Sequence, residues 1–117
     1  MIKGIGLDVT EIERITIAHG RTSKFIQRIL TSLELKRFEE LNDTRQVEFL
    51  AGRFAAKEAF AKALGTGIGK NCSFLDIEVL PNDDGKPILY FKGLEVNGYV
   101  SITHTKQFAA AQVILVE

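Results

Sequence analysis

Residues 52–69 read Gly52-Arg53-Phe54-Ala55-Ala56-Lys57-Glu58-Ala59-Phe60-Ala61-Lys62-Ala63-Leu64-Gly65-Thr66-Gly67-Ile68-Gly69, an alanine-rich run that passes directly into a loop with three glycines. Between Gly52 and Gly65 there is neither glycine nor proline, and alanine carries the smallest helical entropy cost, so a helix is expected over residues 45–64, with Gly65 ending it. Towards the N-terminus, residues 2–9 alternate, with Ile5, Leu7 and Val9 on one face and Gly4, Gly6 and Asp8 on the other. This is the period of a strand, with one bare face that ends in an accessible carboxylate. A first helical segment fits residues 11–18. Ser23 then reads as the N-cap of a helix holding Phe25, Ile26, Ile29 and Leu30, and Thr31-Ser32-Leu33-Glu34 reads as a capping box opening another with Leu35, Phe38 and Leu41 as its apolar stripe.

Beyond the glycine loop the period changes to that of strands. Residues 74–80 and 88–91 flank Pro81-Asn82-Asp83-Asp84-Gly85-Lys86-Pro87, a turn-forming sequence, and should pair as a hairpin. Residues 99–104 and 108–116 bracket Thr105-Lys106-Gln107 as a second hairpin, whose nearly continuous apolar last strand should be central. A strand, a block of helices and then hairpins imply an α+β fold with a mainly antiparallel sheet, in preference to a doubly wound parallel one.

The 117 residues suit a single domain covering residues 1–117, and a hydrophobic content of 45% is that of a globular protein. Fifteen basic and fifteen acidic residues cancel, so no global field favours nucleic acid or an anionic membrane, and any anion site must be local. No apolar run approaches the ~20 residues of a membrane span and no basic-then-apolar leader is present, so a cytoplasmic protein is expected. The lone Cys72 has no partner for an internal disulfide and reads as a reduced, partly buried thiol.

Glu58 and Lys62 lie four apart on one helix face. On spacing alone that is most often a solvated pair worth about 0.2–0.5 kcal/mol. The single acid in the first strand, Asp8, is harder to explain as surface. Arg45, Phe49 and Arg53 also recur every four residues, so two guanidiniums and a ring share a face.

Three motifs, Gly4-Ile5-Gly6-Leu7-Asp8-Val9, residues 54–67 of the long helix and its glycine loop, and Val100-Ser101-Ile102-Thr103-His104-Thr105, occur in that order with the Asn82/Gly85-Lys86-Pro87 turn between the last two. Together they resemble the holo-(acyl-carrier-protein) synthases, the short bacterial 4′-phosphopantetheinyl transferases, over the whole chain. The resemblance implies the 4′-phosphopantetheinyl transferase fold. It also implies Mg²⁺-assisted transfer of the phosphopantetheine arm from coenzyme A to a serine of acyl carrier protein for fatty acid biosynthesis, releasing adenosine 3′,5′-bisphosphate. Asp8 and Glu58 are then the candidate Mg²⁺ ligands and, with Lys62, the catalytic set. Lys62 would meet a pyrophosphate oxygen, and either Glu58 or a metal-bound water would take the serine proton. Arg45, Phe49, Arg53, Lys62, Gly65 and His104 are the candidate coenzyme A contacts, with His104 at the site of an adjacent subunit of a homotrimer. Gly67 and Gly69 fit a loop role as well as a binding role. Arg14, Arg21, Lys24, Phe25 and Arg28 are the candidate docking surface for the acidic helix of the carrier. The alternative from another class is a non-enzymatic module binding a nucleotide or anion.

Overall fold

The N-terminal strand crosses the long helix at a distance that leaves no room for a side chain. The computed structural model describes residues 1–21 and 24–117, and for residues 19–21 the backbone only. In it β1 (Ile2–Glu11) runs along α4 (Asp43–Leu64) so closely that a Cβ on Gly4 would lie 2.1 Å from the Ala63 carbonyl oxygen, and one on Gly6 only 1.8 Å from that of Ala59. The bare face of the strand is therefore its inner face. The apolar face points outwards, leaving Ile5, Leu7 and Val9 exposed, although the apolar face of a strand ordinarily packs into a core.

Between β1 and α4 the chain forms α1 (Ile12–Arg21), α2 (Lys24–Ile29) and α3 (Ser32–Glu39). The strand thus runs two residues further than its alternation shows, and α1 starts one residue later. The N-cap role read for Ser23 lies outside the described residues. The capping box is formed: Thr31 accepts from the Glu34 amide while the Glu34 carboxylate accepts from the Thr31 amide. Asn42 caps α4 by accepting from the Arg45 amide, so that helix opens two residues earlier than expected. It closes at Gly65, whose φ of 92° is left-handed and whose N–H reaches the Ala61 and Lys62 carbonyls.

After α4 come β2 (Ile77–Pro81), β3 (Pro87–Phe91), β4 (Leu94–Glu95), β5 (Gly98–His104) and β6 (Phe108–Val116). Residues 74–76, expected to open β2, instead form a 3-10 turn, because Ser73 and Asp76 satisfy each other's amides in a second capping box. The antiparallel strands divide into two sheets rather than one, in the orders β1-β6-β5 and β2-β3-β4, and β6 is central as its apolar run implied. Helix α4 lies between two cores. One face packs Ala55, Ala59, Phe60 and Ala63 against Val100, Ala111, Val113 and Leu115 of the first sheet and Ile77, Val79 and Leu89 of the second. Its other side packs Leu50 and Ala51 against Ile15, Ile26, Ile29, Leu30 and Phe38. Cys72 belongs to the first core and is fully buried, more so than its sequence context suggests.

A buried ion pair joins these layers. Lys57 of α4 and Glu34 of α3, both inaccessible to solvent, meet at 2.6 Å. The Lys57 ammonium also donates to the Ile29 carbonyl at 2.6 Å and the Phe74 carbonyl at 3.1 Å, and the second Glu34 oxygen accepts from the Val79 amide at 2.8 Å.

The clearance between β1 and α4 makes Gly6 the most sensitive small residue of the fold. Its backbone is not left-handed, so the conflict in Gly6→Ala is purely steric and opposes backbone to backbone. A loss of about 1–3 kcal/mol or more is expected in urea unfolding, whereas the same change at Gly4, with slightly more room, should cost less.

Candidate active site

Helix geometry alone separates the candidate residues into two groups. At 3.6 residues per turn, Glu58 lies about 140° around α4 from Arg53, whereas Glu58 and Lys62 are within about 40° of each other, as are Arg45 and Phe49. Two clefts among the described residues accordingly lie on different sides of the helix.

The first cleft encloses about 350 Å³ and is lined by Asp8 and Thr10 of β1, Arg14, Ile15 and Ala18 of α1, Phe25 of α2, and Phe54, Glu58 and Lys62 of α4. Since Gly4 and Gly6 seat β1 against α4, the next inward residue, Asp8, faces this side of the helix. Both its oxygens are engaged. Thr10 Oγ1 donates to Oδ2 at 2.8 Å, and Lys62 Nζ lies 3.4 Å from Oδ1 while donating to the Leu7 carbonyl at 3.1 Å. Lys62 thus pairs across to the strand and not back to Glu58, which removes the reading of Glu58 and Lys62 as an ordinary helix-surface pair. Partial burial raises the Glu58 pKa, the Asp8 charge raises it further, and Lys62 opposes both. Two carboxylates close enough to repel are hard oxygen donors, and a divalent cation would relieve that repulsion. The donor set fits Mg²⁺, which takes one or two protein carboxylates and fills the rest of its octahedron with water and phosphate oxygens. Among the described residues no third acid, histidine or cysteine joins them in a metal-binding group.

The second cleft encloses about 340 Å³ between α3, α4, β5 and the turn that follows β2, and Arg37, Arg45, Glu48, Phe49, Arg53, Gly85 and His104 line it. Arg53 lies over the Phe49 ring at 4.3 Å, and its buried Nε has no hydrogen-bond partner among the described residues. Glu48 lies between Arg45 and His104, 3.5 Å from Arg45 Nε and 3.6 Å from His104 Nδ1. Phe49 is half-buried, stacked at a tilt on Phe38 with ring centres 6.4 Å apart, so it serves both core and cleft.

Gly65 lines neither cleft; its place is the helix cap, and Gly67, with φ of 68° and its N–H on the Ala61 carbonyl at 3.1 Å, extends that cap. Of the candidate docking residues, Arg14 and Phe25 border the first cleft, where Phe25 leans on Phe54 with ring centres 6.3 Å apart. Lys24 and Arg28 are exposed on α2, and the Arg21 side chain lies outside the described residues. Sequence reasoning did not find Thr10, Ile15 or Phe54 in the first cleft, nor Arg37 and Glu48 in the second. Glu48 was legible one turn from Arg45; Arg37 depends on how α3 lies across α4, which no local pattern encodes.

The chain is similar to known proteins over nearly its whole length. Residues 4–114 match the model of the 4′-phosphopantetheinyl transferase superfamily. The chain is 56% identical to the holo-(acyl-carrier-protein) synthase of Bacillus subtilis, over 98% of its own length and 96% of that protein's. A crystal structure of a holo-(acyl-carrier-protein) synthase from Bacillus anthracis in complex with CoA (3′,5′-ADP) superposes with a TM-score of 0.88 at 51% identity, covering 98% of this chain and 96% of that one. The Helicobacter pylori synthase in complex with coenzyme A superposes at 0.84 with 32% identity, covering 96% and 99%.

The state of Glu58 is open to direct measurement. A carboxyl group that holds its proton more tightly when folded opposes folding once ionised, and the penalty develops as pH rises from its ordinary value of 4.5 through the raised one. In the presence of a chelator, Glu58→Gln is therefore expected to raise the melting temperature at neutral pH. The gain should vanish as the pH is taken below 4.5, where the folded and unfolded chains both carry the proton.

Proposed function

Since the chain belongs to the 4′-phosphopantetheinyl transferase superfamily, as a holo-(acyl-carrier-protein) synthase, we propose that it transfers 4′-phosphopantetheine from coenzyme A to a serine of acyl carrier protein in the cleft of Asp8, Glu58 and Lys62. The observation that carries this reading is the convergence, from a strand and a helix, of two repelling carboxylates and a lysine. The serine oxygen bonds to the phosphorus bearing the pantetheine, the bond from that phosphorus to the bridging oxygen breaks, and adenosine 3′,5′-bisphosphate leaves. Asp8 and Glu58 would hold Mg²⁺, which when bound neutralises charge on the pyrophosphate oxygens. Glu58 is placed to take the hydroxyl proton, directly or through a water. Lys62, steadied by the Leu7 carbonyl and Asp8, meets the charge that develops on the leaving bisphosphate. The apolar wall of Ile15, Phe25 and Phe54 excludes water beside these groups, and Arg14 in the cleft lining, with Lys24 and Arg28 exposed on α2, suits an acidic carrier.

The second cleft takes the nucleotide end, with Arg45 and Arg53 offering cations, His104 an imidazole and Phe49 a ring. It lies on the far side of α4 from the carboxylates, so we assign each complete site to two chains, the first cleft of one and the second cleft of its neighbour, in a cytoplasmic homotrimer. The exposed row of Ile5, Leu7 and Val9 on an edge strand supports an apolar contact between copies. No helix among the described residues is long and apolar enough to cross a membrane.

Incubation with apo acyl carrier protein, coenzyme A and Mg²⁺ should add one phosphopantetheine to the carrier, read by intact mass. A binding module would leave that mass unchanged. Asp8→Asn and Glu58→Gln should each lower turnover by about 10²-fold or more with the fold intact, and near-normal rates in both would remove the metal assignment.

Light scattering should give the mass of a trimer. After subunit exchange, the inactive variants Asp8→Asn and Arg53→Gln should partly restore activity when mixed, because some sites then draw an intact Asp8 cleft from one chain and an intact Arg53 cleft from the other. Proven exchange without recovery would count against a shared site.

A further inference from the structure

The inner row of β1, which begins with Gly4, Gly6 and Asp8, ends in Thr10, and Thr10 is buried. Its surroundings on the sheet are apolar. In the register with β6, Ala109 stands opposite Thr10 and Ala111 opposite Asp8, both buried and neither carrying a polar side-chain atom. For packing alone valine would serve in place of Thr10, because it has the same branch at Cβ and about the same size without a hydroxyl to desolvate. The hydroxyl has one hydrogen-bond partner among the described residues, Asp8 Oδ2, to which it donates at 2.8 Å. The other oxygen of Asp8, Oδ1, faces Lys62 Nζ at 3.4 Å. A donor fixed on one oxygen opposes rotation of the carboxylate about its last torsion, so the two oxygens are not equivalent. Oδ2 is engaged within the strand, and Oδ1 is turned to the charged groups of the cleft.

We propose that Thr10 is a positioning residue for Asp8: by holding Oδ2 it restricts Asp8 to a single coordinating oxygen, Oδ1, and so sets the preference of this cleft for Mg²⁺ over Ca²⁺. This rests on the reading of Asp8 and Glu58 as the metal ligands. The two cations differ in what they ask of a carboxylate. Ca²⁺ is the larger, tolerates irregular geometry and accepts a carboxylate through one oxygen or both, whereas Mg²⁺ demands a near-ideal octahedron, which the narrow bite of a two-oxygen carboxylate does not fit. With the Thr10 hydroxyl in place the Mg²⁺ mode is prepared and the two-oxygen mode is opposed. Thr10 acts only through Asp8, as outer partners orient the ligands of metal sites generally.

Metal binding is measured without turnover by titrating Mn²⁺ into protein and coenzyme A in the absence of carrier. Electron paramagnetic resonance reads the free Mn²⁺, Mg²⁺ and Ca²⁺ serve as competitors, and a titration of coenzyme A alone is subtracted. Thr10→Val should weaken Mg²⁺ by about 10-fold or more, the scale on which a metal site responds to loss of an outer partner, and weaken Ca²⁺ much less, so that the ratio of the two affinities narrows. Thr10→Ala, which also lacks the hydroxyl but is smaller, should narrow it in the same way, and circular dichroism verifies the fold of each variant. Thr10→Ser keeps the donor and should restore both the affinity and the ratio. An unchanged ratio in the valine and alanine variants, or a ratio that serine fails to restore, would overturn the role of Thr10 while leaving Asp8 as a ligand. Mn²⁺ binding that survives Asp8→Asn undiminished would instead overturn the metal reading of the cleft, and the proposal with it.

Discussion

The ion pair between Lys57 and Glu34 is the point on which the other elements are hung. Five segments meet there: α4 through Lys57, α3 through Glu34, the end of α2 through the Ile29 carbonyl, the 3-10 turn through the Phe74 carbonyl and β2 through the Val79 amide. Burial, with Arg53 adding to it, pulls the Lys57 pKa down, and Glu34, with help from Glu78, opposes that shift. A charge pair in a solvent-free interior is a poor source of net stability, because desolvation consumes most of the attraction. Removing one partner is another matter, since the remaining charge is then stranded at a cost of about 3–5 kcal/mol. The pair thus specifies an arrangement more than it strengthens one: only one seating of α2 and α3 on α4 satisfies all of its hydrogen bonds. Thr31 carries the network outward, its hydroxyl donating to the Glu78 carboxylate while its amide caps onto Glu34.

That seating decides where the chemistry can stand. Lys57 and Glu58 are neighbours on α4, so whatever holds the first side chain sets the direction of the second. On the opposite side of the helix Gly4 and Gly6 let β1 descend onto the helix backbone, and Asp8, two residues on, arrives beside Lys62. The carboxylates are thus brought together by two unrelated packing conditions, a buried charge network on one flank and absent side chains on the other. Burial and mutual repulsion then raise the Glu58 pKa, so the site's electrostatics follow from its packing.

Much of this was legible in the sequence wherever a local rule applied. The capping box at Thr31, the Gly65 cap, the two hairpins and the central position of β6 all follow from residue types at fixed spacings. So do the groupings of Glu58 with Lys62 and of Arg45 with Phe49 and Arg53, which need only the helical repeat. What failed was what depends on distance in space. The alternation of β1 identified its two faces but not which is inward, because the usual rule puts apolar side chains inside, and here close backbone approach puts the glycines there. Residues 74–76 read as strand by composition, yet the Ser73 and Asp76 side chains supply the amides with nearer partners. Lys57 lies in an alanine run, where nothing local marks a buried cation. Arg37 enters its cleft only through the crossing of α3 over α4.

Helix α4 serves both clefts, one along each flank, and this has a genetic side. If each reaction centre is built from two chains, damage confined to Asp8 or to Arg53 harms one centre per defective chain, whereas damage to the helix as a whole harms two. A Lys57 substitution that still permits assembly would then poison the intact partners it joins. In a cell carrying both alleles, such a mutation would behave as a dominant one, and the point lesions on either flank would complement each other.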